Sequence, residues 1–452
     1  MKFITATILL VLLPFSVFCQ EVKYINTQNA KEDFDFLIRT FEEVHYNPYF
    51  LHSKDTVFSF KEAKFNDWLQ DSIPVRQFLA DGMELTSMMS GGHSYMYWNV
   101  PSIINEIRAH EFLPISGHFA KNQEYFVVDR SQLEEIDVGD TLHSINGIPA
   151  ADLFHKTMSL IAGIEAFRAA KCETMFPFYL FFCKELNSPY ELKTSKSSLV
   201  KTRGVSLNEI ADFVNEKAVP ENYTFAILED SIGLISYNRC QNYKAFKKFL
   251  KKTFSEIESK SIDKLIIDIR ENGGGDSSLN DLLLSYITEK PYRQSSGRYW
   301  KVSQNAKDAY SSASVYTRIF GKKFMNAYMS EPNGSVIEEL DGNLQQPIKS
   351  APFFEGKTCF LIGPETFSSA NFLADAIKTY ELSTLIGEPT GEYTNDFGEQ
   401  IKFVLPNSKA SVFVSSTYDI GASGDASALH PVRPDILLEE QVLGYAKEWI
   451  KQ

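Results

Sequence analysis

Residues 363–372 read GPETFSSANF and place two serines, Ser368 and Ser369, where an apolar run meets a helix-periodic segment. TCFLI at 358–362 has the pattern of a short buried strand, and Phe372, Leu373, Ala376 and Ile377 then recur at helical spacing. A serine at that junction can cap the helix. It can also be a nucleophile at the helix's positive end, where outward N–H groups favour a developing oxyanion. A second segment, LIIDIR running into ENGGGDSS, removes every Cβ at Gly273, Gly274 and Gly275 just where a strand should end. Such a run is a turn, or a backbone that comes close to a ligand and offers N–H groups to it. No G-K-[ST] follows, which argues against a phosphate-binding loop. A third segment, SGGHSYM, sets His93 directly after a glycine pair, although a lone histidine is ordinarily a packing or surface residue. Taken together, a nucleophile, a base and backbone donors are the parts that acyl transfer needs.

These parts must be brought together by the elements around them. Residues 28–90 read as helices, with Phe34, Leu37, Ile38, Phe41 and Val44 on one stripe and Gly91-Gly92 as the stop. From about 106 the texture alternates: EYFVVD is a strand, Val138-Gly139-Asp140 a turn, Asn146-Gly147 a tight hairpin signal, and a helix starts at Ala150. From about 222 strands and helices alternate in the manner of an α/β domain. SIGLISYN, DKLIIDIR, TCFLI and TLIGEPT supply strands, with an amphipathic helix at 243–259. Residues 300–350 yield no clear pattern.

The 452 residues are 44% hydrophobic and 23% charged, which suits a globular chain of two or three domains. With 45 basic against 58 acidic residues the net charge is −13, so no nucleic-acid footprint is present and the acidity reads as solubility. The start, MKFITATILLVLLPFSVFCQ, has the n-region and h-region of a secretory signal peptide. It is short for a span and broken by Pro14, so no membrane span is expected after signal removal. Bulky Phe18 disfavours a lipid anchor at Cys19. The expectation is an exported protein, periplasmic or extracellular. Export permits a disulfide between Cys172 and Cys183, whereas Cys359, in a buried strand, is expected as a free thiol. Cys240 completes the set, and no Cys/His cluster has metal-ligand spacing.

IIDIRENGGGDSS, LIGPETFSSANFLADAIK, LIGEPTGE and SGGHSYM, with HYNPY at 45–49, together resemble the C-terminal processing and tricorn-type serine peptidases. That resemblance implies a signal peptide (1–20), an N-terminal helical region (21–105), a PDZ-like β-rich module (106–200) and an α/β catalytic domain of ClpP/crotonase-like type (201–452). The PDZ resemblance rests on GDTLHSINGIP, for which an unrelated hairpin is the alternative. Counting back from LIGEPT, the family's nucleophile falls on Ser368. Ser369 and Gly274, or a neighbouring glycine, then supply the oxyanion N–H groups. The tail-specific branch has a lysine where this chain has Tyr393, so the Ser–His branch is the nearer, and His93 is the implied base. That branch's relay ends in a glutamate before a PD dipeptide. Here Pro434-Asp435 lacks it, and Asp425 is assigned to orient His93, directly or through Ser94, with a backbone carbonyl as the alternative. The implied function is an exported serine endopeptidase that needs no cofactor, takes peptide or protein substrates and forms an acyl-enzyme. A non-catalytic ligand- or peptide-binding protein on the same fold is the rival.

Overall fold

The computed structural model describes residues 24–98, 100–120, 124–183, 186–196, 199–215, 221–312 and 321–452. The proposed signal peptide and Cys19 lie outside them. The N-terminal apolar stripe becomes the helix Thr27–Val44, whose first turn is capped by Asn26 Oδ1 accepting from the N–H groups of Gln28 and Asn29. Its buried face, Phe34, Leu37, Ile38, Phe41 and Val44, packs with the helix Val75–Met89.

That core does not close within the N-terminal region. It continues through Trp300, Tyr310, Tyr328, Val412 and Val414, so the N-terminal helices share one interior with residues from the uninterpreted 300–350 stretch and the C-terminal part. The sheet involved runs, in order, Val336–Leu340, Gly297–Lys301, Ser411–Ile420 and Asp396–Val404, with Tyr95–Tyr97 paired antiparallel to Ser411–Phe413. Asp33, buried in the first helix, accepts from the N–H groups of Asn407 and Ser408 at 2.9 and 2.8 Å and pins the tip of the Asp396–Ile420 hairpin.

A β-rich unit follows, ordered Ile115–Phe119, Phe126–Ser131, Thr141–Ile145, Tyr190–Thr194 and Val200–Thr202. Asn146 (φ 50°) and Gly147 (φ 78°) turn the hairpin to Ile148–Pro149, the double positive φ that the Asn-Gly pair predicts. The helix Glu165–Thr174 lies along the outer edge formed by Ile115–Phe119, where Glu173 Oε1 accepts the Phe119 N–H at 2.8 Å. Cys172 and Cys183 stand as buried free thiols, correcting the expected pairing, and Cys240 and Cys359 are free as well. Cys172 Sγ contacts Thr157 Oγ1 at 2.8 Å instead.

The third unit is a sheet ordered Tyr223–Ile227, Ile232–Tyr237, Lys264–Asp268, Lys357–Ile362, Thr384–Gly387 and Ile436–Leu437. Only the first pair is antiparallel. The central strands are buried on both faces and read as near-continuous apolar runs, as parallel strands do. Three neighbours, Lys264–Asp268, Lys357–Ile362 and Thr384–Gly387, therefore end on the same edge, where open parallel sheets bind ligands.

Candidate active site

Each of those three strands delivers one part of the site at its C-terminal end. The strand Lys264–Asp268 leads into the glycine run, Lys357–Ile362 into Ser368, and Thr384–Gly387 into the loop that carries Glu392. Ser368 is the N-cap residue of the helix Ser369–Thr379, but its hydroxyl makes no capping hydrogen bond. Its backbone sits at φ 55°, ψ −126°, a strained conformation for a residue with a Cβ and one that costs about 1–3 kcal/mol. Surrounding bonds hold it there. Phe367 N–H donates to Asn272 O at 3.0 Å, Thr366 Oγ1 to Ile269 O at 2.9 Å, and Ser368 N–H to Glu392 Oε2 at 2.6 Å.

The second serine has a different task. Ser369 Oγ donates to Gly275 O at 2.6 Å, and Ser369 O accepts from Asn280 Nδ2 at 2.8 Å, which ties the serine helix to the glycine run. A Cβ at Gly274 (φ 88°) would lie 2.6 Å from Ser368 Cβ, so only glycine fits at this crossing. The Gly274 N–H, assigned from the sequence to the oxyanion hole, is donated to Asn272 Oδ1 at 2.9 Å and is not free. Gly275 differs. Its neighbours' Gly274 O and Asp276 N bond to Cys240, so its own N–H faces the other way, toward the Ser368 side, as its carbonyl does.

His93 reaches the same place from the N-terminal helices. A Cβ at Gly92 would come within 2.8 Å of the Phe367 ring, and one at Gly91 within 2.7 Å of Asp396 Oδ1, so the glycine pair lets the loop close on the site. The imidazole lies against Phe367, ring centroids 4.7 Å apart, and Gln400 Nε2 donates to His93 O at 2.5 Å. Its Nδ1 lies 2.8 Å from Glu392 Oε1, a contact off the hydrogen-bond line that is an ion pair when the imidazole is protonated; the Glu392 side chain is only 3% exposed. Glu392 thus spans the two residues, one oxygen on His93 and the other on the Ser368 N–H. Burial opposes a charged His93, but the Glu392 carboxylate, with Asp419 and Glu399 behind it, outweighs burial and raises the histidine above its ordinary 6.5.

Asp425 is not part of this arrangement. It is exposed, and its Oδ1 accepts from the N–H and hydroxyl of Ser427, at 2.9 and 2.6 Å, in a local turn. Ser94 is likewise engaged elsewhere, with Ser415 at 3.1 Å and 2.9 Å. The carboxylate that meets His93 is Glu392, which sequence reasoning missed. Its signal was an acid between glycine and tyrosine just past the LIGEPT strand.

One ring braces all three segments. Phe167, on the helix Glu165–Thr174, stacks on Phe367 at 4.6 Å and 23°. The ring also crowds the glycines before His93 and Glu392: added Cβ atoms at Gly92 and Gly391 would lie 3.6 and 3.0 Å from it. Lys171, one turn on, pairs with Glu365 of the serine loop. Among the described residues there is no cluster able to hold a metal ion and no helix long and apolar enough to cross a membrane.

Residues 231–438, which contain the glycine run, Ser368 and Glu392, match the model of peptidase family S41. Three solved structures of CPAF cover the chain almost end to end. A mutant CPAF is 15% identical with a TM-score of 0.65, over 94% of this chain and 96% of that one. Mature CPAF is 14% identical with a TM-score of 0.60, over 94% and 96%. Mature CPAF complexed with lactacystin is 15% identical with a TM-score of 0.60, over 94% and 97%. At such identity these likenesses speak for the fold. No curated protein sequence matches. Residues 231–438 are thus a segment of the peptidase family S41 type, and that match indicates a serine-type peptidase.

Proposed function

We propose that this chain is an exported endopeptidase that cleaves peptide or protein substrates through an acyl-enzyme on Ser368. His93 takes the serine proton as general base and returns it to the leaving amine, and Glu392 orients the imidazole. The observation that carries this reading is the Glu392 bridge, which joins a histidine from the N-terminal helices to a serine in a strained strand-to-helix turn. Ser369 N–H and Gly275 N–H, neither of which has an acceptor among the described residues, are the oxyanion donors we assign. The catalytic unit is read as ClpP/crotonase-like, the N-terminal helices as its cap, and the β-rich unit as PDZ-like. A peptide strand adding to the Ile115–Phe119 edge would have to displace Glu173 from the Phe119 N–H.

The direct test is mass-spectrometric mapping of the residue labelled by a fluorophosphonate. An adduct on Ser368 is expected, and an unlabelled folded protein favours the ligand-binding reading.

The base role also fixes a pH dependence. Because the imidazole must be neutral to accept the proton, kcat/KM for a peptide is expected to rise with pH through a midpoint above 6.5. Glu392→Gln removes the carboxylate that raises His93, so the midpoint is expected to fall. A midpoint unchanged by that substitution would detach Glu392 from the base.

A further inference from the structure

Behind Glu392 lies a set of buried groups that the reaction does not by itself require. Asp396 begins one hairpin strand and sits opposite Asp419 in register. Arg298 Nη1 lies 2.9 Å from Glu399 Oε1, and its Nε lies 3.1 Å from Asp419 Oδ1. Asp396, Glu399 and Asp419 are thus three carboxyl groups packed behind the Glu392–His93 pair. Four potential anions face two potential cations, and the pairing is already complete without Asp396. Arg298 is shared by Glu399 and Asp419, and His93 is taken by Glu392.

Asp396 has only neutral or acidic company. Its Oδ1 accepts the Phe397 N–H at 2.6 Å and packs where Gly91 has no side chain, and its carboxyl is buried beside that of Glu392. The hairpin faces it with Asp419 and the Tyr418 phenol, and the glycine-histidine loop with His93 beyond Glu392. His45, its ring tilted against Phe397 at 4.4 Å, is kept uncharged by burial, its pKa lowered to about 3. Two carboxyl groups in one buried contact cannot both be ionised without a large cost, and one proton between them turns repulsion into a hydrogen bond.

We propose that Asp396 is a positioning residue that keeps its proton in the working enzyme and donates it to Glu392, fixing that carboxylate between His93 and the Ser368 N–H. The inference rests on the catalytic reading above. Glu392 stays the single anion of the pair, so His93 faces one full negative charge. Burial, then the Glu392 charge, push the Asp396 carboxyl well above its ordinary range, consistent with this placement of the proton.

The test compares Asp396→Asn, which keeps a neutral donor of the same shape, with Asp396→Ala, which has none. Two readouts are taken: peptide kinetics against pH, and titration of the His93 ring by NMR. Asp396→Asn is expected to keep kcat/KM within about threefold and to leave the His93 midpoint within about 0.3 units. Asp396→Ala is expected to lower kcat about thirtyfold with KM little changed, because a freed Glu392 holds the imidazole less well. An ionised Asp396 predicts the reverse for asparagine: the His93 midpoint drops by about one unit and activity falls as far as in alanine, which overturns the proposal. If wild-type protein fails to take a fluorophosphonate label, the catalytic reading falls. The His93 titration in Asp396→Asn still decides where the proton resides.

Discussion

Ser368→Ala is expected to reduce peptide turnover by about 10⁴-fold or more while leaving the thermal transition almost unchanged. The two halves of this expectation have separate origins. In the proposed mechanism turnover depends on Oγ, the attacking atom. The fold uses only the backbone N–H of Ser368, donated to Glu392, and alanine supplies the same N–H. The strained φ of 55° is common to both residues, so the substitution neither adds nor relieves it. Ser369→Ala is the matching control. It removes the hydroxyl that holds Gly275 O, a bond worth about 1 kcal/mol, and is expected to weaken catalysis roughly tenfold rather than abolish it. Should Ser369→Ala abolish turnover while Ser368→Ala retains it, the nucleophile is the second serine.

His93→Ala is expected to lower kcat by about 10³- to 10⁴-fold and to suppress labelling of Ser368 by the fluorophosphonate. Stability should change too, because the substitution strips Glu392 of its cation and leaves a buried carboxylate with the Ser368 N–H and Asp396 for company. Uncompensated burial of that kind costs about 1–3 kcal/mol. The sign against pH is distinctive. A histidine raised by its partner contributes stability in full below the unfolded pKa near 6.5, and that contribution is lost as pH rises through the folded value. The wild type should therefore become more active and slightly less stable over the same interval. His93→Ala should flatten both curves, as measured by peptide assay and thermal melts. A residual rate matching the wild type would remove His93 from the mechanism.

The legible parts of the chain are those whose meaning is local. Ser368 and the glycine run could be read because a buried strand, a turn and an amphipathic helix are contiguous, and Asn146-Gly147 because a two-residue hairpin needs two positive φ values. Glu392 was missed because its partner His93 comes from the opposite end of the chain, and nothing in sequence spacing reports a contact made by sheet closure. Asp425 was chosen for its nearness to Pro434-Asp435, yet its carboxyl is satisfied two residues away. The 300–350 stretch resisted reading because its edge strand, Val336–Leu340, is mostly exposed and lacks a clean alternation. Gly274 was assigned for its N–H, which belongs to Asn272; what the crossing with Ser368 needs is its missing Cβ.

The Phe167 ring changes what should be counted as the enzyme. Its helix belongs to the β-rich unit, yet the ring wedges between Phe367 and the glycines that precede His93 and Glu392, with Lys171 gripping the serine loop from the same helix. The geometry of the proposed site is therefore a joint property of segments scattered from the Gly91–His93 loop to the Glu392 loop. The family-matched 231–438 segment holds Ser368, the proposed nucleophile, but neither His93, the proposed base, nor Phe167. Shuffling that segment between relatives as a self-sufficient cassette would transplant the warhead without the frame that aims it.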